Sequence, residues 1–381
     1  MHIIFYTFAT QGFNQAWIYP HWKGELTRAG HTFTIVSAED MGIGLSRDQY
    51  DDRIVETVTQ EHRKDPVSLF LSSVRSPEMS REAVQRIRDL SIPTVNVTWD
   101  DILMAHRVKE IASAFDLYWV ADPLAIETMR GYGANVLFLP SAANPHVYRP
   151  HDLPEDKDVS FCGQRYGSRI FYIEELFRRG IEVELFGVGW LSARDGGNPN
   201  GQQRGLGWRD GVRHVVGSLS HPNGRTWARA TLLRRIRRSH LDPVLQERIS
   251  NRAHPPLPGE EMIQLFSQSK LSLGFNELGH TYLLKNPLST IRTRDFEAIA
   301  SGACHFIRRM PQWEPYFEED REVICYDSAE ELADKIRYYL DPQRDAARAR
   351  IRHNARERAV EQHTWTHRFD EISRTLGIKA S

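Results

Sequence analysis

Four stretches of the sequence combine residue types that could hold an anion or move a proton. The densest is Arg294-Asp295-Phe296-Glu297-Ala298-Ile299-Ala300-Ser301-Gly302. It reads as the start of a helix with small residues facing a sheet. The free amides and partial positive charge of a helix N-terminus suit a diphosphate. Arg294 adds a fixed cation suited to bidentate phosphate binding, and Glu297 can accept hydrogen bonds from ribose hydroxyls. The alternative is that Asp295 and Glu297 simply favour the helix dipole. The second stretch, Phe161-Cys162-Gly163-Gln164-Arg165-Tyr166-Gly167-Ser168-Arg169, lies between a strand and a helix. Gly163 lets backbone approach a ligand closely, and Arg165 and Arg169 supply positive charge. An ordinary turn with two solvated arginines would look the same.

The third stretch is Thr98-Trp99-Asp100-Asp101, at the end of a strand. Asp100, the leading candidate, or Asp101 beside it could orient an acceptor or act as a general base, or cap the next helix. The fourth, Thr10-Gln11-Gly12-Phe13-Asn14, follows the first strand, so Gln11, Gly12 and Asn14 could approach an acceptor or donor phosphates. It does not match the Gly-x-Gly-x-x-Gly fingerprint of dinucleotide binding, and no P-loop run is present. Asp156-Lys157-Asp158 has metal-ligand spacing, but it precedes a strand in an acidic connector and reads as solvated chain. The three cysteines, Cys162, Cys304 and Cys325, are far apart. Neither a zinc site, a disulfide framework nor a metal centre is therefore expected, which fits a reducing cytoplasm.

These residues need a frame. The 381 residues are enough for two domains. A formal net charge of −1 gives no bulk attraction to nucleic acid or membrane. The start of the chain lacks the basic, then apolar, character of a signal peptide, so none is expected. No apolar run reaches the length of a membrane span.

Strand-like runs at Ile3–Tyr6, Thr32–Val36, Leu69–Leu71, Thr94–Thr98, Leu117–Val120 and Val136–Leu139 alternate with helical segments, including one over Ala105–Ala114. That rhythm predicts a parallel sheet. Pro140, Pro145, Pro150 and Pro154 mark a connector. Strands at Val159–Cys162, Val183–Gly187, Leu271–Phe275, Cys304–Ile307 and Glu322–Tyr326 restart the pattern, and long helices over Ala329–Leu340 and Ala346–Leu376 close it. The rhythm lapses over residues 191–255, which read as an insertion with a helix around Arg229–His240. It carries Arg225, Arg229, Arg234, Arg235, Arg237 and Arg238, with Trp190, Trp208 and Trp227 in or near it. These arginines could grip an anionic acceptor, a phospholipid surface or nucleic acid, or form a solvated face. The expected architecture is α/β, two doubly wound lobes binding ligands outside the carboxyl ends of their strands. The expected boundaries are an acceptor-side lobe over 1–150, a donor-side lobe over 151–360 and a C-terminal helix over 361–381 that returns to the first lobe.

With these motifs the chain resembles the CgeB-like group of GT-B glycosyltransferases. The likeness rests on Asp100-Asp101 then Phe115-Asp116, and on Leu139-Pro140-Ser141-Ala142-Ala143-Asn144-Pro145 leading to Tyr148-Arg149-Pro150. Above all it rests on the run from Val159 to Trp190, joined to Leu271 to Asn276, Arg294-x-Phe296-Glu297 with Ala-x-x-x-Gly302, and Glu330-Glu331-Leu332. The resemblance implies a nucleotide-diphosphate sugar donor and no separate cofactor. It puts Glu297 at the ribose, and Gly163 and Arg294 near the diphosphate. The base is expected near Phe186-Gly187 and the loop Pro256–Gly259. Asn276 and Phe296 fall inside the matching donor-side motifs. Retaining relatives often carry an acid eight positions before the ribose glutamate; here that residue is Ser289, so retention and inversion both stay open.

The expected activity is metal-independent transfer of a sugar from that donor to an acceptor hydroxyl, in a cytoplasmic protein that could sit peripherally at a membrane. Nucleotide-sugar epimerisation on the same two-lobe plan is one alternative. A non-catalytic protein holding RNA or an anionic surface through its arginines is the other.

Overall fold

The computed structural model describes residues 1–191, 216–236 and 242–378. Arg237, Arg238 and Trp208 lie outside the described residues. The chain divides into two compact units. Met1–Val147, His214–Gly224 and Thr364–Ser381 form the first, and Tyr148–Arg213 and Arg225–His363 the second.

The first unit is built on six strands: β1 (His2–Thr7), β2 (Thr32–Ser37), β3 (Leu69–Ser73), β4 (Thr94–Thr98), β5 (Leu117–Val120) and β6 (Val136–Phe138). They pair in the order β2-β1-β3-β4-β5-β6, all parallel. A parallel sheet covered on both faces needs strands that are apolar throughout, and every residue of β1 is buried. Alternate side chains feed two cores. Ile4 and Tyr6 join Ile54, Val58, Phe70 and Ile87. Ile3 and Phe5 join Trp22, Trp119, Trp365 and Phe369. The last two belong to the C-terminal helix Trp365–Thr375. Trp365 Nε1 donates to His21 Nδ1 at 2.9 Å, and Thr366 N donates to Glu25 Oε1 at 2.6 Å.

The second unit repeats the plan with β7 (Lys157–Cys162), β8 (Glu184–Phe186), β9 (Ala253–His254), β10 (Ser269–Leu273), β11 (His305–Arg308) and β12 (Ile324–Tyr326). Their order is β12-β11-β10-β7-β8-β9, again parallel. The chain builds outward from β7 through β8 to β9, then returns to β7's other side as β10. The strand order therefore reverses between β7 and β10, the place where such sheets open a crevice at their carboxyl ends.

Two helical readings change. Ala105–Ala114 is not one helix but two short 3-10 turns, Ala105–Arg107 and Ala112–Ala114. The C-terminal stretch is two helices, Asp345–Gln362 and Trp365–Thr375, because Thr364 starts a new N-terminus with a reciprocal capping pair to His367.

Candidate functional site

At the β7/β10 switch point of the second unit lies a cavity of about 310 Å³. Phe161 to Gln164, Tyr166 and Arg169 line it from the β7 side, Leu273 to Phe275 from the β10 side, and Arg292, Arg294 and Asp295 from the start of the helix Thr293–Ala300. Sequence dictates this shape through two glycines. Gly187 has φ +151°, and a Cβ there would stand 2.3 Å from Gly163 O. Gly167 has φ +60°, and a Cβ there would meet Gly279 O at 2.6 Å. Only glycine allows these approaches. The loop between them is fixed further by Gly163 N donating to Phe186 O at 2.8 Å, Arg165 N to Val188 O at 2.9 Å and Trp190 Nε1 to Gly163 O at 2.7 Å.

Three guanidinium groups reach the cavity, each held from behind. Arg292 donates from Nε to Phe275 O at 2.8 Å, from Nη2 to Glu277 O at 3.3 Å and from Nη1 to Tyr166 Oη at 3.3 Å. Arg169 lies over the Tyr166 ring at 4.3 Å and donates to Gln164 O at 3.0 Å. Burial, then the like charge of Arg292, pushes the Arg169 guanidinium down to about 10. Burial acts on Arg294 in the same sense, but Glu297 leads the neighbours that outweigh it and raise its pKa. Arg294 Nη1 stands 2.7 Å from Glu297 Oε2. Asp295 is the acid on the cavity wall, and its carboxyl oxygens are engaged. It accepts from Asn276 Nδ2 at 2.8 Å and from Arg292 N at 3.2 Å, and meets His305 Nε2 at 3.1 Å. The cavity is therefore cationic, with donors set before any ligand arrives, which is chemistry for a phosphate or diphosphate.

Gly163, Arg169 and Arg294 are thus brought together at one cavity, as the motifs suggest. Arg165 stands half-buried, 6.0 Å over the Trp190 ring. Glu297 is buried beside Arg294 and Tyr148. Beyond Gly187, the Phe186 ring stacks on His254 at 4.5 Å, and His254 Nε2 pairs with Glu184 at 2.6 Å.

Two expected donor contacts are corrected. Asn276 is fully buried, with its amide donating to Thr290 O and Asp295 and its oxygen accepting from Arg308 N at 3.1 Å. It braces the wall rather than facing the cavity. Phe296 is fully buried among Trp313, Tyr316, Phe317 and His363, because a helix puts consecutive residues on different faces. The sequence reading missed Arg292 and Tyr166. The available signal was Arg292-Thr293-Arg294, two arginines flanking the first residue of a helix. Ser289 bridges in antiparallel fashion to Glu277, whose carboxylate turns inward to Tyr172 at 2.5 Å and Arg308 at 3.1 Å.

In the first unit, β4 runs out into Trp99 and Asp100, and a short helix starts at Asp101. Asp100 is exposed and makes no side-chain cap. Asp101 is buried, with Oδ1 accepting from Thr98 Oγ1 and from Tyr118 Oη at 3.4 Å. Its Oδ2 has no hydrogen-bond partner among the described residues. Burial pushes this carboxyl up to about 7, against the pull of the Thr98 and Tyr118 hydroxyls. A carboxyl poised there can exchange a proton near neutrality. After β1, Gln11 bonds to Glu39 at 2.8 Å and Asp40 at 2.7 Å, Gly12 is exposed, and Asn14 is buried at the start of the π-helical turn Asn14–Lys23. Asn14 Oδ1 also lacks a partner among the described residues.

No curated protein matches the sequence significantly. Solved structures match it over almost its whole length. Sucrose-phosphate synthase from Thermosynechococcus elongatus aligns at TM-score 0.56 and 14% identity, covering 99% of both chains. A glycosyltransferase from Rickettsia africae aligns at TM-score 0.59 and 11% identity, covering 100% of this chain and 99% of its own. HepE of Anabaena, solved in complex with UDP-glucose, aligns at TM-score 0.56 and 12% identity, covering 99% of both. At such identities the shared property is the fold, the α/β plan of GT-B enzymes with two Rossmann-like units. The family described as glycosyl transferase-like matches residues 169–374, more than half of the sequence and all three cavity arginines, and the chain belongs to that family.

Proposed function

We propose that the chain moves a sugar from a nucleoside-diphosphate sugar to an acceptor hydroxyl, as a CgeB-like member of its family. The observation that carries this reading is the cavity at the β7/β10 switch point, with Arg169, Arg292 and Arg294 around it. A diphosphate leaving group gains charge as the glycosidic bond breaks, and prearranged cations stabilise that change without reorganising. In this reading the arginines and the loop at Gly163 hold the diphosphate, and no metal ion is required. Glu297 takes the ribose, and the base lies toward Phe186-Gly187. The UDP-glucose complex of HepE lends support for a nucleotide sugar as the class of donor.

On the acceptor side, Asp101 rather than the exposed Asp100 has the environment of a general base. Its carboxyl, raised to about 7, would take the proton of the attacking hydroxyl. Gln11, Gly12 and Asn14 are assigned to acceptor contacts.

The test is thermal stability against UDP, GDP, dTDP, CMP and their sugars. A ligand present at about 100 times its dissociation constant stabilises by about 2.7 kcal/mol. Stabilisation by one nucleoside diphosphate, lost in Arg292→Ala, is the expected result. A protein that responds to none of them, yet shifts with RNA, is not a transferase of this kind.

A further inference from the structure

The donor site leaves the arginine-rich helix Pro222–Ile236 unused. This helix carries Arg225, Arg229, Arg234 and Arg235 and has no acidic residue. Its inner side is fixed within the second unit. The Trp227 ring lies so close to Gly279 that a Cβ there would meet Nε1 at 2.7 Å. Ala230 is fully buried. The charge of Arg234 reaches Glu174, His280 and Tyr282. The outer side is turned to solvent. Arg225, Arg229, Leu232 and Ile236 are all exposed, at successive spacings of four, three and four residues. On a helix of 3.6 residues per turn that is one stripe. Arg235, also exposed, flanks its end.

Leu232 is 60% exposed and Ile236 73%. One exposed aliphatic residue calls for no explanation. Two on adjacent turns, among arginines of a single sign, do. A face meant only for water mixes both signs of charge. A single-stranded nucleic-acid groove offers aromatic rings for base stacking, and this stripe offers aliphatics. A bilayer with anionic headgroups uses both features at once. Guanidinium groups sit at the lipid phosphates, and aliphatic side chains enter the acyl boundary. We propose that the stripe Arg225–Arg229–Leu232–Arg235–Ile236 is a peripheral docking surface for an anionic lipid bilayer. It is surface binding, since no helix among the described residues is long and apolar enough to cross a membrane.

The experiment is flotation of the full chain with vesicles of phosphatidylcholine alone, or of phosphatidylcholine mixed with phosphatidylglycerol. Binding is expected to the mixed vesicles only, and to weaken as salt is raised. Arg229→Glu with Arg235→Glu should weaken it at least about twentyfold, since each basic residue near an anionic surface contributes about fivefold. Leu232→Ser with Ile236→Ser should weaken it about tenfold or more while leaving any retention by soluble RNA unchanged. All four side chains are exposed, so melting temperatures should match the parent's, which excludes misfolding as the cause. Equal binding to neutral vesicles, no binding to anionic ones, or an aliphatic variant that floats like the parent would each overturn the proposal. RNA retention that falls together with vesicle binding in the aliphatic variant would overturn it in favour of a nucleic-acid face.

Discussion

The second unit ends β7 and β10 in a cavity whose arginines are held in place, Arg169 and Arg292 by carbonyls and the Tyr166 ring, Arg294 by Glu297. The first unit ends β4 in a carboxyl that burial keeps close to losing its charge. Both units are six parallel strands. In the function proposed, one backbone plan thus supports two electrostatic tasks, and the side chains at strand ends decide which. Gripping an anion requires charge that does not respond to pH. Relaying a proton requires charge that does.

The most forceful way to break this contrast is Asp101→Asn. Loss of a general base typically lowers turnover by about 10²- to 10⁴-fold. Donor affinity should be unchanged, and Asp100→Asn should have a much smaller effect. In the parent, kcat/KM should rise with pH and level off above about 7. Stability supplies a second readout. The folded pKa of Asp101 is raised from 3.8 to about 7, so between those values the native state keeps a proton that the unfolded chain has released. Parent stability therefore falls as pH rises through this window, and the variant lacks the penalty. The melting temperature of Asp101→Asn relative to the parent should increase from pH 4 to pH 8. A constant difference would mean that Asp101 is not held neutral in the fold.

A second pair of variants separates bracing from binding inside the second unit. Phe296→Ala empties the packing among Trp313, Tyr316 and Phe317 and should cost about 3–5 kcal/mol of stability. Arg292→Ala should cost less stability, about 1–3 kcal/mol for the carbonyls of Phe275 and Glu277 that lose their donor, and weaken nucleoside diphosphate binding by roughly 10- to 100-fold, the weight of a charged hydrogen bond or two. Arg292→Lys should not restore it, because an ammonium cannot reproduce a planar fork held at three points. Calorimetric titration and melting of both proteins check this. Weaker binding in Phe296→Ala under conditions where it stays folded would return Phe296 to the donor site.

The sequence made the strands legible because burial on both faces demands long apolar runs. All six strands of the first sheet overlap runs legible in the sequence, although β4, Thr94–Thr98, alternates apolar and polar residues and β6 has only three. β9 escaped, since two residues, Ala253 and His254, are too short to show a period. Ala105, Val108, Ile111 and Ala112 are buried at helix-like spacing, yet two 3-10 turns and the turn that joins them satisfy the same spacing. At the site, glycine and arginine types pointed to the cavity. Which face of the helix Thr293–Ala300 meets it depends on the β10 loop. Sequence alone therefore points to Phe296 and passes over Arg292. The environment of Asp101 depends on Tyr118, seventeen residues further on and across a sheet ladder, which no local pattern reveals.

The smallest expected effect belongs to Glu297, and it sharpens the picture of the cationic cavity most. Glu297 pairs with Arg294 at 2.7 Å, so it both restrains a cation and offers a carboxylate. Glu297→Ala removes an acceptor for ribose hydroxyls while freeing Arg294 to meet phosphate. These two consequences act in opposite directions on different ligands. Affinity for the nucleoside diphosphate that stabilises the protein best should fall about tenfold, the value of one hydrogen bond to a charged group. Affinity for inorganic pyrophosphate, which has no ribose, should hold or rise. Titrating parent and variant with both ligands reads the difference directly. If both affinities fall together, Glu297 acts only by positioning Arg294. If neither changes, the ribose lies elsewhere in the second unit.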